Sequence, residues 1–336
     1  MILYHLELER VTEEIQKRNA NRILLQLPDG MRPFAYQMVK AITLATGSHV
    51  IISGDSCYGS CDVALNQAKE LNIDLLVHYG HSEMVREYDV PVLFVHAEID
   101  IDVIAMIDAA EPEIQSWERV GVVTTVQHIH QVEDIEIELR EREFLPFVSK
   151  KGGMTPFPGQ ILGCYYIGAE EIADKVDGFL YIGGGRFHPI GLIMSTGKPV
   201  VIADPFQAKI SKLTEQDLMS IAKKRMASIE ATKQAKNLGI IVSSKPGQKD
   251  LQVALDLEKK FRDRNVTAVI IYMNEVRAEH INNFVEPEAF INTACPRLSI
   301  DGVEGVNRPV LTVNEALVVL GEKDWEDFWS KGYFRD

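Results

Sequence analysis

The sequence predicts an α/β protein of three similar parallel-sheet domains, and three observations carry that reading. Apolar, β-branched runs alternate with helix-like stretches along the chain, as βαβ units require. The alternation restarts twice, at Arg119 and again at Leu238. Each cycle also carries a cysteine just beyond a strand, at Cys61, Cys164 and Cys295.

Composition bounds what such a chain can do. Its 336 residues, 46% hydrophobic and 25% charged, suffice for two or three cores of ordinary domain size. No apolar run reaches the roughly 20 residues of a membrane span, and Met1 to Arg10 alternates charges where a signal peptide has an apolar core. The expected compartment is the cytoplasm. A formal charge of -14 argues against direct nucleic-acid binding, which rests on clustered Lys and Arg. Four cysteines in a chain this long point to metal or catalytic roles instead of a disulfide framework.

In the first cycle, Arg22 to Pro28 is a continuous apolar run, hence a strand buried on both faces, closed by Asp29-Gly30. A helix follows over Arg32 to Ala45, then a strand over His49 to Ser53. The next stretch, Gly54 to Asp62, reads G-D-S-C-Y-G-S-C-D. Its glycines permit a tight turn, and Asp62 is placed to cap the helix Val63 to Leu71. Strands over Asp74 to Tyr79 and Pro91 to His96 complete the unit. The second cycle runs through strand Arg119 to Thr125, a charge-laced helix over His128 to Glu143, strand Phe144 to Ser149, helix Ala169 to Lys175, strand Asp177 to Ile182 and strand Pro199 to Ala203. The third has strand Leu238 to Ser243, helix Lys249 to Arg264, strand Val266 to Tyr272, a helix near Val276 to Phe284, and strands Ala289 to Thr293 and Val310 to Val313.

The cycles align internally. Asp74, Asp177 and Glu288 open equivalent strands, as do Pro91, Pro199 and Pro309. Units of about a hundred residues match ordinary domains and exceed solenoid repeats. The expected domains are 1–100 with Cys61, 101–212 with Cys164 and 213–336 with Cys295. Glu98 to Ser116, which includes helical sequence, and the charged, helix-like stretch Thr214 to Lys236 are expected to link them, and Trp325 to Trp329 forms an amphipathic turn docked on the body.

Three thiols separated by roughly 100 and 130 residues are no zinc knuckle or ferredoxin run, whose ligands come in short C-x-x-C spacings. They converge only if the three carboxyl edges face a common centre, where a [4Fe-4S] cluster with one open iron suits them. The domains are therefore expected to surround a central cluster site. Any one buried cysteine is also at home as a small hydrophobe. Cys57 makes C-x-x-x-C with Cys61, yet no C-x-x-C follows to complete the ordinary radical S-adenosylmethionine motif.

Several motifs together carry a family resemblance along essentially the whole chain. L-P-D-G at Leu27 to Gly30, G-D-x-x-Y-G-[AS]-C-D at Gly54 to Asp62, H-Y-G-H-S at His78 to Ser82, G-Q-I-L-G-C ending at Cys164 and T-A-C-P-R-L-S-I-D at Thr293 to Asp301 resemble the archaeal diphthamide-synthesis enzymes. These are noncanonical radical S-adenosylmethionine enzymes. The resemblance implies a homodimer of three-domain subunits in which Cys61, Cys164 and Cys295 hold a [4Fe-4S] cluster. Cys57 falls at an unspecified position of the motif. It further implies transfer of the 3-amino-3-carboxypropyl group of S-adenosylmethionine to C2 of a histidine in elongation factor 2, with an external electron donor.

Candidates for orienting the sulfonium substrate follow from the strand ends. Gly183, Gly184 and Gly185 bring backbone amides to a βα turn, with Arg186, Phe187 and His188 beside them, although a glycine triplet also serves as a plain turn. Gln26, Asp29, His78 and His81 end strands of the first unit, and each histidine also reads as a structural one. Arg297 pairs either with the substrate carboxylate or with Asp301. Two other readings stay open: a quinolinate-synthase-like cluster enzyme using the open iron as a Lewis acid, and a non-enzymatic redox subunit.

Overall fold

The structure is a computed structural model that describes residues 4–84 and 87–334. It contains three sheets. The first is built from β1 (Arg22–Gln26), β2 (His49–Ile52), β3 (Leu75–Tyr79) and β4 (Val92–Val95). The second has β5 (Arg119–Thr124), β6 (Leu145–Val148), β7 (Gly178–Ile182), β8 (Val200–Asp204) and β9 (Lys209–Leu213). The third has β10 (Asn237–Ser243), β11 (Thr267–Met273), β12 (Ala289–Asn292) and β13 (Val310–Thr312). Their orders are β2-β1-β3-β4, β6-β5-β7-β8-β9 and β11-β10-β12-β13. Each sheet thus repeats one order, its second strand outside the first and the third and fourth on the other side. The first and third sheets are parallel throughout, and β5 runs parallel to both β6 and β7. No helix among the described residues is long and apolar enough to cross a membrane.

The internal alignment has a physical counterpart at the start of each sheet. Asp74 Oδ2 accepts hydrogen bonds from the backbone N–H groups of Asn21 and Arg22, which lead into β1. Asp177 Oδ2 accepts from Glu118 and Arg119 at the start of β5, and Glu288 Oε2 from Lys236 and Asn237 at the start of β10. One carboxylate therefore clamps each first strand to its third. The middle of that strand pair also repeats. Gly121 faces Phe179 and Gly239 faces Phe290 in register, and a Cβ on either glycine would lie 2.4 or 2.5 Å from the ring. In the first sheet the same place holds Leu24 opposite Leu76, both buried, which need no such gap.

The chain divides into two compact units, one of Met1–Leu162, Glu171–Arg186 and Val201–Lys212, the other of Gly163–Glu170, Phe187–Val200 and Leu213–Asp336. In the first unit Leu25, Val77 and Val95 pack with Val11, Met38 and Ile42 on one face of the first sheet, while Leu24, Leu76, Val63 and Ala68 fill the other. A sheet covered on both faces explains why its strands read as unbroken apolar runs. In the second unit the helix Phe187–Thr196 brings Met194 against Ile229, Leu311 and Phe328.

Several expected elements differ. Glu98 to Ser116 is no linker, because the helix Val103–Ile114 within it buries Val103, Ile107, Ala110 and Ile114 against Val120, Val122 and Leu139. Asp102 caps that helix, accepting from Ala105 N at 3.0 Å. Thr214 to Lys236 is likewise built into a core through the helix Glu215–Lys233, which opens with a Thr214–Asp217 capping box. From it the buried Arg225 donates to Glu315, to Ser299 O at 2.5 Å and to Val310 O at 2.8 Å, while Tyr333 Oη donates to the same carboxylate at 2.8 Å. Burial works against the guanidinium charge, and the hydrogen bonds and charge of Glu315 together with Tyr333 outweigh it. The helix expected over His128 to Glu143 splits into a 3₁₀ segment, Val126–Gln131, and a helix, Val132–Glu141; the one near Val276 shrinks to Ala278–Ile281. Helices Leu8–Lys17, Phe187–Thr196, Pro296–Ile300 and Val313–Val319, and strand β9, are additional to the expected set.

The Asp177 clamp has a pH signature. The N–H groups of Arg119 and Glu118 hold its carboxyl at about 2, against an ordinary 3.8. A depressed folded pKa gives stability that is complete above the ordinary value and is lost as pH falls through the folded one. Asp177→Asn should therefore lower stability at pH 7 by about 1 kcal/mol and flatten the decline between pH 3.8 and about 2. Urea midpoints across that window would test it; parallel curves for the two proteins would refute the clamp.

Candidate functional site

Cys61 sits in a loop that the first unit fixes from below. After β2, the loop descends into a 3₁₀ turn, Ser60–Asp62, closed by Asp62 N donating to Gly59 O at 2.9 Å. Gly59 is extended at φ 173°, so its service is not an unusual dihedral. A Cβ there would lie 3.4 Å from Cys61 Sγ, in ordinary contact, so the position borders the sulfur. Asp62 does not cap the following helix, which begins at Leu65 with Ala64 as N-cap. Its carboxylate instead accepts from Tyr58 N within the loop at 3.4 Å.

Gln26, at the end of β1, ties this turn to the sheet. Its Nε2 donates to Asp62 O at 2.6 Å, and its Oε1 accepts from Ala64 N at 2.9 Å and lies 2.8 Å from His78 Nδ1. Gln26 is buried and its amide is committed at both ends. His78 Nε2 in turn lies 3.0 Å from His81 Nδ1. Desolvation pushes His78 well below its ordinary value and His81 down to about 4, so both imidazoles are neutral at pH 7. Asp29 stands apart, exposed and 3.1 Å from Arg32, whose guanidinium also donates to Asp55 O.

The glycine loop follows β7 in the same unit. Gly183 N donates to Ala203 O at 3.1 Å, and Gly185 N to Asp204 Oδ2 at 2.8 Å. Two of the three amides are thus used to hold the loop to β8. Gly185 has φ +70°, where glycine is favoured, and Gly184 lies against the ring of Phe206. Arg186 is exposed beside them.

The second unit brings the neighbours of Cys164 and Cys295 against one ring, that of Phe187, which in the sequence stands only beside the glycine triplet. A Cβ on Gly163 would lie 2.1 Å from the ring of Phe187, so that ring covers the backbone next to Cys164. The Arg297 guanidinium lies 4.1 Å from the centroid of the same ring, two residues after Cys295. Cys295 is the N-cap of Pro296–Ile300, and its carbonyl accepts from the Asn292 side chain. Arg297 is buried; its Nε and Nη2 donate to Asp301 at 3.0 and 2.7 Å, while Nη1 is buried with no hydrogen-bond partner. Burial raises the Asp301 carboxyl against the pull of this partner. The pairing with Asp301 therefore leaves one donor of Arg297 over. Cys61, Cys164 and Cys295 are all half-buried, whereas Cys57 is buried.

Comparison with known proteins gives this arrangement a context. A family model described as "Putative diphthamide synthesis protein" matches residues 27–330. The chain belongs to the diphthamide synthesis family. Within that family, a 2-(3-amino-3-carboxypropyl)histidine synthase of Pyrococcus horikoshii is 32% identical over 328 residues, covering 97% of this chain and 94% of that protein. The human 2-(3-amino-3-carboxypropyl)histidine synthase subunit 1 is 28% identical over 336 residues, covering 98% of this chain and 75% of its own length. Among solved structures, that of Dph2 from Pyrococcus horikoshii with a 4Fe-4S cluster matches with a TM-score of 0.86 at 32% identity, covering 96% of this chain and 93% of that one.

The Gln26 bridge is open to test. Gln26→Leu keeps the volume but strands the Asp62 carbonyl, the Ala64 N–H and the His78 N–H, at a cost of about 1–3 kcal/mol for each group left buried. Thermal unfolding should show a loss of at least 2 kcal/mol by this scale, and amide hydrogen exchange should speed up over residues 58–64. Unchanged exchange there would mean that the turn holds without the bridge.

Proposed function

We propose that this chain is a transferase that moves the 3-amino-3-carboxypropyl group of S-adenosylmethionine to C2 of a histidine in translation elongation factor 2, with a [4Fe-4S] cluster held by Cys61, Cys164 and Cys295. The observation that carries the reading is the Phe187 contact, which gathers the Cys164 and Cys295 segments beside a buried arginine with a donor to spare. The relatives' names and the cluster in the Pyrococcus horikoshii structure support it. The donor set fits such a cluster: three half-buried thiols on loops past strand ends. The same reading takes residues 1–100, 101–212 and 213–336 as three domains, the subunit as half of a cytoplasmic homodimer, and the reductant as a separate donor.

When bound and reduced, the cluster supplies one electron to the sulfonium; the sulfur–Cγ bond breaks, giving methylthioadenosine and a fragment that adds to imidazole C2, with loss of a proton and an electron restoring the ring. The protein's part is positioning. Arg297 Nη1 is the donor offered to the substrate carboxylate, and the Phe187 ring on which the guanidinium lies holds it in place. Gln26 acts one step back by fixing the turn that carries Cys61. Gly184, free of a side chain against Phe206, and the exposed Arg186 and Asp29 belong to the proposed substrate surface.

Replacing Cys61, Cys164 or Cys295 by alanine should each reduce cluster assembly and abolish turnover, whereas Cys57→Ala should retain the cluster. Iron and sulfide analysis with the visible absorption band decides it; loss of the cluster on Cys57→Ala with retention on Cys61→Ala reverses the assignment.

Reconstituted anaerobically and reduced, the enzyme should convert S-adenosylmethionine to methylthioadenosine and add the aminocarboxypropyl mass to elongation factor 2 at one histidine. Deoxyadenosine as the main product sinks the proposed bond cleavage. An unmodified factor despite methylthioadenosine release sinks the proposed acceptor.

A further inference from the structure

Beyond this reading, we propose that Cys57, His78 and His81 form a second metal site in the first unit, built for a borderline-soft divalent cation such as Zn²⁺. Cys57 Sγ and one ring nitrogen from each histidine all lie within 4.8 Å of one another. A tetrahedral zinc with bonds of about 2.0–2.3 Å needs its ligand atoms roughly 3.3–3.7 Å apart. His78 Nε2 and His81 Nδ1, at 3.0 Å, already stand near that spacing. Closing the remaining edges takes side-chain adjustments of up to about 1.5 Å on this scale.

The protonation pattern around the site follows from fixed groups. The Asp62 carbonyl only accepts, so the Gln26 nitrogen must face it; the Ala64 N–H only donates, so the Gln26 oxygen must face that. The oxygen therefore also faces His78, whose proton must lie on Nδ1, leaving the Nε2 lone pair turned towards His81. Metal-bound histidines show the same arrangement, the far ring nitrogen donating to a fixed oxygen that sets tautomer and orientation. Both imidazoles are neutral at pH 7, as ligands must be. A thiolate, two neutral imidazoles and a divalent cation sum to a single positive charge. Three protein ligands leave the fourth position of a tetrahedral site to water.

A bare hydrogen bond from His81 to His78 is the competing account of the 3.0 Å contact. It gives the thiol no part. The full-length chain with Cys61, Cys164 and Cys295 all changed to alanine separates the two, because Cys57 is then its sole cysteine. Titrated with Co²⁺, this chain should bind one equivalent with tetrahedral visible bands and a thiolate-to-cobalt charge-transfer band, displaced by Zn²⁺. Cys57→Ser should abolish the charge-transfer band, His81→Ala should weaken binding at least tenfold, and Gln26→Leu should weaken it roughly 10–100-fold. Absence of the charge-transfer band overturns the site. Should the triple variant not fold, zinc analysis and zinc K-edge absorption on the unsubstituted, chelator-washed chain carry the test. One tightly held zinc with one sulfur and two nitrogen neighbours, lost on Cys57→Ser, supports the proposal. No zinc, or zinc indifferent to that substitution, overturns it.

Discussion

A parallel sheet sends the loop after every strand to one edge, and that constraint governs where this protein can do chemistry. β1 delivers Gln26, β2 the Cys61 loop and β3 His78 with His81, all to the same end of the first sheet. The hydrogen bonds among them are the product of register: Gln26 and His78 are direct partners across β1 and β3, so their side chains meet without a detour of the backbone. In the third sheet, β12 ends at Asn292, whose side chain bonds the Cys295 carbonyl and the Ala294 N–H to shape the next turn. Neither turn relies on strain. Each is held by an amide side chain from the strand that leads to it or lies beside it.

Buried polar groups are held in different ways at two places. In the first unit His78 is buried as a neutral imidazole between Gln26 and His81. In the second, Arg225 and Glu315 are buried as an ion pair with Tyr333 as a further donor, and the same guanidinium reaches the carbonyls of Ser299 and Val310. Removing either partner would leave an isolated charge in the interior, at about 3–5 kcal/mol. Because Ser299 lies in the helix that begins beside Cys295, this pair also anchors the element carrying the third thiol.

The sequence made the strands legible because buried parallel strands are apolar without interruption, and Leu24 to Leu25 or Ile240 to Val242 leave no other reading. The equivalence of Asp74, Asp177 and Glu288 was visible as well, and its cause is a shared clamp on the neighbouring strand. Helices were harder. Helical sequence was legible between Glu98 and Ser116, but that Val103, Ile107, Ala110 and Ile114 form a buried face depends on the strands they cover. Of the site, the half-buried cysteines and the glycine loop could be picked out by residue type. The placement of Phe187 between Gly163 and Arg297, and of Cys57 beside the histidine pair, depends on folded distances between residues far apart in sequence.

The glycine–phenylalanine pairs have a consequence for how such a chain can change over time. At one place in the repeated unit, two sheets use no side chain opposite a large ring, and the other uses two leucines of intermediate size. The combined bulk is shared out differently, but neither half can be altered alone: a leucine at Gly121 meets the ring of Phe179, and a leucine at Phe179 leaves a hollow over Gly121. Passing from one solution to the other requires both positions to move nearly together. Three sheets of one strand order are therefore not interchangeable at their centres, so that a strand transplanted from one to another would carry half of a matched pair.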